Sequence, residues 1–146
     1  MKTLQLQKNI IDRLYKEEII LQQEDNENIY FSDAFTIWII NKNENFINIE
    51  KVKSVENLTN YVNYFNKEKS LTVDNLSLLL DKKYNGKIIA GECEEKKFYF
   101  KKDNLKYFDN NYTLCKMDNN PFNPIYVLEN DVLKGLFMPI NIDNIK

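Results

Sequence analysis

The chain predicts an α+β fold: an amphipathic N-terminal helix, two middle helices and short antiparallel strands and hairpins, in a single domain over residues 1–146. Three observations predict it. Three segments repeat apolar residues at helical spacing, and most of the remainder alternates apolar with polar residues in short runs closed by Asn, Asp, Gly or Pro. Nothing has the length of the crossover helices that a parallel sheet requires. At 146 residues the chain is the size of one domain.

The first helix is expected over residues 4–21. Leu4, Ile11, Leu14 and Leu21, with Ile10 and Tyr15 beside them, form the apolar stripe, and Lys8, Asp12, Arg13 and Lys16 form the polar side. Lys8, Asp12 and Lys16 are spaced for i,i+4 ion pairs. The run QQEDNEN then breaks the pattern. Residues 28–50, rich in aromatic and β-branched side chains and interrupted at Ser32-Asp33 and Asn41–Asn45, read as two or three antiparallel strands, with Trp38 in the core or on a sheet face. Ser54 is placed to cap a helix in which Val55, Leu58, Val62 and Phe65 share a face. Thr72 is placed to cap the next, with Leu71 and Leu76 as a staple, Leu76, Leu79 and Leu80 as its buried stripe, and Gly86 just past its end after Lys82 and Lys83.

The last half is strand-rich. KIIAGEC (87–93) and KFYFKK (97–102) form a hairpin, DNLKYF (103–108) a short helix capped by Asp103, YTLCKM (112–117) a strand, and DNNPFNP (118–124) a loop. The final hairpin turns at Glu129–Asp131. Cys93 and Cys115, without a CxxC spacing, are expected to be reduced and buried.

Composition narrows the functions. There is no histidine, which removes the commonest general base and metal ligand. The three glycines are too far apart for a phosphate-cradling loop, so no cofactor and no metal are expected, and the chain reads as a non-enzyme. Twenty basic against 22 acidic residues give a formal charge of -2, so no overall field drives the chain onto nucleic acid. No window approaches the roughly 18 apolar residues of a membrane span, and a soluble, cytoplasmic protein without a membrane partner is expected.

Two segments invite a sharper reading. Asp81, Glu94 and Lys96 can be set against the PD-(D/E)xK nuclease pattern, in which acids and a lysine hold Mg²⁺; the competing reading of GECEEKK is a charged hairpin tip that guards a sheet edge. Lys101, Lys102 and Lys106 beside Phe98, Tyr99, Phe100 and Tyr107 are the only basic segment with interleaved aromatics, a pattern able to contact phosphates and stack bases. Strand alternation instead turns Phe98 and Phe100 inward and leaves Tyr99 and the lysines to water. Phe122 is an apolar side chain in a polar loop, either a plug on the core or an anchor for a partner.

FSDAFTIWII (31–40) resembles the Thr-Asp-Gly-(His/Tyr)-Arg-Leu segment of bacterial and phage DNA sliding clamps, matching at Asp33 and the apolar strand after it. NPIYVLENDVLKGLFMPINI (123–142) resembles that family's closing hairpin, with Met138, Pro139 and Ile140 at its Met-Pro-apolar end, and FYFKKDNLKYF (98–108) lies in the matching order. Ala34 stands where the family has glycine, no arginine follows it, and Asn141 stands where the family has arginine. The resemblance implies a clamp-like, phage-type DNA-replication accessory. Its partner-binding residues are Phe122, Met138, Pro139 and Ile140, its nucleic-acid-facing residues Lys8, Arg13 and Lys16. A clamp ring has six similar domains, so one domain implies a homo-oligomer. The expected partners are a replication protein and DNA. The alternative is a small anti-CRISPR-like inhibitor whose acidic clusters EDNE (24–27) and ECEE (92–95) occupy the nucleic-acid channel of a host defence nuclease.

Overall fold

A computed structural model describes residues 1–47, 52–80 and 82–141. It shows a mostly-β protein, which corrects the α+β expectation: among the described residues two α-helices accompany eleven strands. Helix α1 (Thr3–Tyr15) leads into β1 (Leu21–Glu24), β2 (Asn28–Ser32) and β3 (Thr36–Asn41). After β4 (Lys53–Ser54) comes α2 (Leu58–Asn63), then β5 (Leu71–Thr72), β6 (Asp74–Leu79), β7 (Ile88–Cys93), β8 (Lys96–Lys101), β9 (Tyr112–Lys116), β10 (Ile125–Glu129) and β11 (Val132–Phe137). Eight strands form one sheet in the order β4-β1-β2-β3-β11-β10-β9-β5, and β6-β7-β8 form a second. Within the large sheet the β1–β4 pair is parallel and the others are antiparallel.

The expected pair of middle helices is not there. In the first, Ser54 pairs with Gln22 in the sheet rather than capping, and the helix shrinks to six residues, although Val55, Val62 and Phe65 still pack beside Leu58. The second is strand β6. Its leucines satisfy two periods at once, because Leu76, Leu78 and Leu80 alternate as well as Leu76, Leu79 and Leu80 recur. Asn75 has φ 54, which a right-handed helix excludes, and the supposed C-cap is the Asn85-Gly86 turn between β6 and β7, with φ 54 and 70. The first helix stops at Tyr15, with Glu17 left-handed at φ 63, so Leu21 belongs to β1. Leu4 and Tyr15 face solvent, and the buried helix stripe is Leu6, Gln7 and Ile10. The turn after β8 is a 3-10 helix, Lys102–Leu105, with Asp103 inside it rather than capping it.

The central strands β3 and β10 are buried on both faces and read as nearly continuous apolar runs, whereas the end strands β4 and β5 are more exposed. Phe31, Trp38, Val127 and Phe137 point to the main core, shared with Leu6 and Ile10 of α1 and with Phe98 and Phe100 of the small sheet. Tyr30, Ile37, Ile39, Tyr126 and Leu136 point to the other face, where Leu58 of α2 meets them. Both cysteines are buried. Among the described residues no helix is long and apolar enough to cross a membrane.

Glu129, buried at the end of β10, joins the two ends of this arrangement. Its Oε2 accepts from the Asp109 amide at 2.6 Å, and its Oε1 sits 2.7 Å from the Met1 ammonium, which Asp109 also contacts at 2.6 Å. Burial opposes the ammonium charge and the two carboxylates favour it; the net effect raises its pKa above 8.0. A raised folded value means that the stability it contributes is complete below about pH 8 and is lost as the pH climbs through the folded value. Thermal melts from pH 7 to pH 10 are therefore expected to show an alkaline loss that acetylation of the α-amine abolishes.

Candidate functional site

The two clamp-like phrases, about a hundred residues apart in the chain, meet side by side. β3 and β11 pair with Leu136 opposite Ile37 and Phe137 opposite Thr36, and the Met138 amide extends the pairing by donating to the Phe35 carbonyl at 2.9 Å. The turn that leads into β3 is built by Asp33. Its Oδ1 accepts from the amides of Phe35 (3.0 Å) and Thr36 (2.8 Å), and its Oδ2 accepts from Arg13 Nη1 at 3.0 Å. Within this turn Ala34 adopts φ 81, a left-handed conformation in which a Cβ is crowded. This is the position where the resembling family carries glycine. Ala34→Gly is expected to raise stability by about 0.5–1 kcal/mol, read from the urea unfolding midpoint.

An eight-stranded sheet with two apolar faces needs two covers, and on this side α2 is only six residues long. Two hollows flank it. One, of about 390 Å³, is lined by Leu21, Phe35, Ile37, Leu58 and Leu136 among others; the second, of about 470 Å³, by Tyr64, Met117, Pro124 and Tyr126 among others. Tyr61 and Met138 line both, so the two hollows adjoin at these side chains and together make the cleft beside α2. Large apolar side chains stand in solvent around it: Phe35 is 69% exposed, Tyr61 51% and Tyr64 65%. Burial pushes the Tyr126 phenol up to about 12, so it stays neutral, and its hydroxyl reaches the Tyr61 carbonyl at 3.4 Å.

The far wall is a loop with little freedom. Asp118 accepts from the Asn120 amide (2.9 Å) and from Asn123 Nδ2 (2.7 Å), Asn120 Oδ1 accepts from the Phe122 amide (2.9 Å), and Asn123 donates back to the Asn120 carbonyl (3.2 Å). Lys116, fully buried, donates to the Asn123 carbonyl at 2.7 Å and lies 5.1 Å from the Phe98 ring. Burial lowers its pKa, and no carboxylate stands within ion-pair distance among the salt bridges of the described residues. The loop thus presents Phe122, 56% exposed, in an ordered setting.

Of the partner-binding residues expected from sequence, Met138 is in the cleft and Phe122 stands exposed on the loop that walls it. Pro139 is half-buried, and Ile140 turns away to join β8, its amide donating to the Tyr99 carbonyl at 2.8 Å. Lys8 and Lys16 are exposed on α1, but Arg13 is held by Asp33 and by Glu18, its Nε 2.9 Å from Glu18 Oε2. Phe98 and Phe100 are buried while Lys101, Lys102 and Lys106 are exposed. Glu94 and Glu95 form a two-residue hairpin turn with φ 48 and 67, and Lys96 opens the next strand on the exposed tip; Asp81 lies outside the described residues. Among the described residues no three His, Cys, Asp or Glu side chains are grouped to hold a metal ion. In the first acidic cluster Asp25 is engaged in its own turn, accepting from the amides of Glu27 (2.9 Å) and Asn28 (2.8 Å) and from the Tyr30 hydroxyl.

Sequence reasoning missed Phe35, Tyr61 and Tyr64. For Tyr61 and Tyr64 the signal was available, since both lie off the Val55, Leu58, Val62 and Phe65 stripe; Phe35 gave none, because it alternates with Ile37 and Ile39. No family model, curated protein or solved structure matches the chain.

Proposed function

We propose that the chain is a non-enzymatic protein-interaction protein with sliding-clamp-like features, a phage-type accessory of DNA replication, and that the cleft beside α2 receives a short extended segment of a replication protein. The observation that carries this reading is the convergence of the Asp33 turn and the Met138 end on one apolar cleft, through the β3–β11 pairing. The occupant is a peptide rather than a compact metabolite. The two adjoining hollows are lined mostly by apolar and aromatic groups, with few polar atoms to orient a small molecule. Phe35, Tyr61 and Phe122 supply exposed aromatic anchors for bulky apolar side chains of the peptide. Any DNA contact on α1 falls to Lys8 and Lys16, because Arg13 is committed to Asp33 and Glu18.

The test is photo-crosslinking in lysate of the phage host, with benzoylphenylalanine in place of Tyr61 and, as control, in place of exposed Val132. A replication protein joined through position 61 and absent at position 132 is the expected result. A defence nuclease joined there turns the reading to the inhibitor, and equal labelling at both positions contradicts a cleft-directed partner.

A further inference from the structure

The small sheet carries a hollow of about 320 Å³ whose lining differs from that of the cleft. Its floor follows from register. Ser77 pairs with Ala90 and Ala90 with Tyr99, and the next row on the same face sets Glu92 opposite Lys97. Alternation along the strands leaves buried Phe98 and Phe100 to the opposite face. Ala90 is small, so the floor sinks between Ser77 and Tyr99. β6 bulges between Asp74 and Ser77, and within the bulge Asn75 holds φ 54. A bulge re-aims a side chain, and here Asn75 Nδ2 donates to Glu92 Oε2 at 3.0 Å. Directly opposed acid and base ordinarily pair with each other. In this sheet the carboxylate is held by Asn75 instead, and Lys97 enters none of the ion pairs among the described residues. The hollow is therefore lined by a half-buried acceptor, an exposed donor, the Ser77 hydroxyl, the Tyr99 phenol and apolar Leu79.

We infer that this hollow takes one pyranose ring of a neutral saccharide. Adjacent ring hydroxyls both donate and accept. One donates to Glu92 while its neighbour accepts from Lys97, across opposed residues whose Cβ atoms lie about 4.5–5.5 Å apart. The C–H face of the ring packs on Tyr99, whose π-face attracts weakly positive hydrogens, with Leu79 beside it and Ser77 supplying a further hydroxyl. A phosphate fits worse, because it would meet the Glu92 carboxylate, and among the described residues lining the hollow Lys97 is the lone cation. An amino-acid zwitterion matches both charges but leaves the phenol ring and Ser77 unused. A polyol ring engages every group. This surface is separate from the cleft beside α2, and the inference stands whether or not a peptide binds there.

The test is amide chemical-shift titration of the full chain with the methyl glycosides of glucose, galactose, mannose and N-acetylglucosamine, and with glycine as the zwitterion control. At least one glycoside is expected to give saturable shifts, in the millimolar range, at Asn75–Ser77, Ala90–Glu92 and Lys97–Tyr99. Lys97→Met, at an exposed site, is expected to weaken that binding at least fivefold. Asn75→Gly keeps the left-handed bulge without steric cost and frees Glu92 to close onto Lys97. It is expected to weaken binding by a similar factor while the urea midpoint does not fall, which separates a binding role from a structural one. Absence of saturable shifts with every glycoside overturns the inference, as do shifts centred on the cleft beside α2. Saturation by glycine alone replaces the saccharide with a zwitterion, and affinity indifferent to both substitutions removes the site.

Discussion

Replacing Gly135 with alanine is expected to lower the unfolding free energy by about 3 kcal/mol or more, at the upper end of what overpacking costs. A Cβ at this position would lie 2.5 Å from the Ile37 carbonyl oxygen and 2.7 Å from the Phe108 ring. The ring can shift, but the carbonyl belongs to the neighbouring strand. Moving it pulls apart β3 and β11, the junction between β4-β1-β2-β3 and β11-β10-β9-β5. Gly91→Ala is the informative comparison. There the Cβ meets the far ends of buried Phe98 (2.8 Å) and of Leu76 (3.1 Å), which is 43% exposed, and no backbone atom is among its three nearest contacts. About 1 kcal/mol is expected for that change. Urea unfolding of both variants checks the contrast; equal midpoints would mean that the β3–β11 contact yields as readily as a surface leucine.

Tyr61→Ala is expected to weaken peptide binding roughly 30-fold, the about 2 kcal/mol typical of a central aromatic anchor, while leaving stability nearly unchanged because the ring is 51% exposed. Tyr61 lines both hollows, so its loss removes a contact from each rather than one at the rim. Met138→Asp is expected to do more, since it places a carboxylate where apolar groups converge and leaves that charge to be desolvated on binding. The ligand for both measurements is a peptide selected by display on the unmodified chain, with Val132→Asp as a surface control. Retention of full affinity by Tyr61→Ala would remove the tyrosine from the site.

The parts of this fold that local rules govern were legible in the sequence. The hairpin at Ile88–Lys101 and the one at Ile125–Phe137 show alternation on either side of short polar turns, and the structure places both there. Leu71–Leu80 was misread for a physical reason: a leucine-rich run satisfies helical and strand periods together, and the deciding signal, Asn85-Gly86, serves both as a helix end and as a hairpin turn. Ser54 was misread because its partner is Gln22 in a parallel pair with no local signature. Arg13 looked like one of a helix's solvated charges, and only the tertiary approach of the Asp33 turn engages it. Met138 came from the resemblance alone. Tyr61 belongs to the cleft because α2 is too short to cover the sheet, a fact that depends on where the helix ends rather than on which residues it contains.

The most direct test of the cleft is amide chemical-shift mapping of the full chain titrated with a display-selected peptide. Perturbations concentrated at Ala34–Ile37, at Leu58–Tyr64, and at Met117, Phe122 and Met138 are the predicted result. Perturbations confined to α1 or to the β6-β7-β8 sheet, with those positions unmoved, would contradict it.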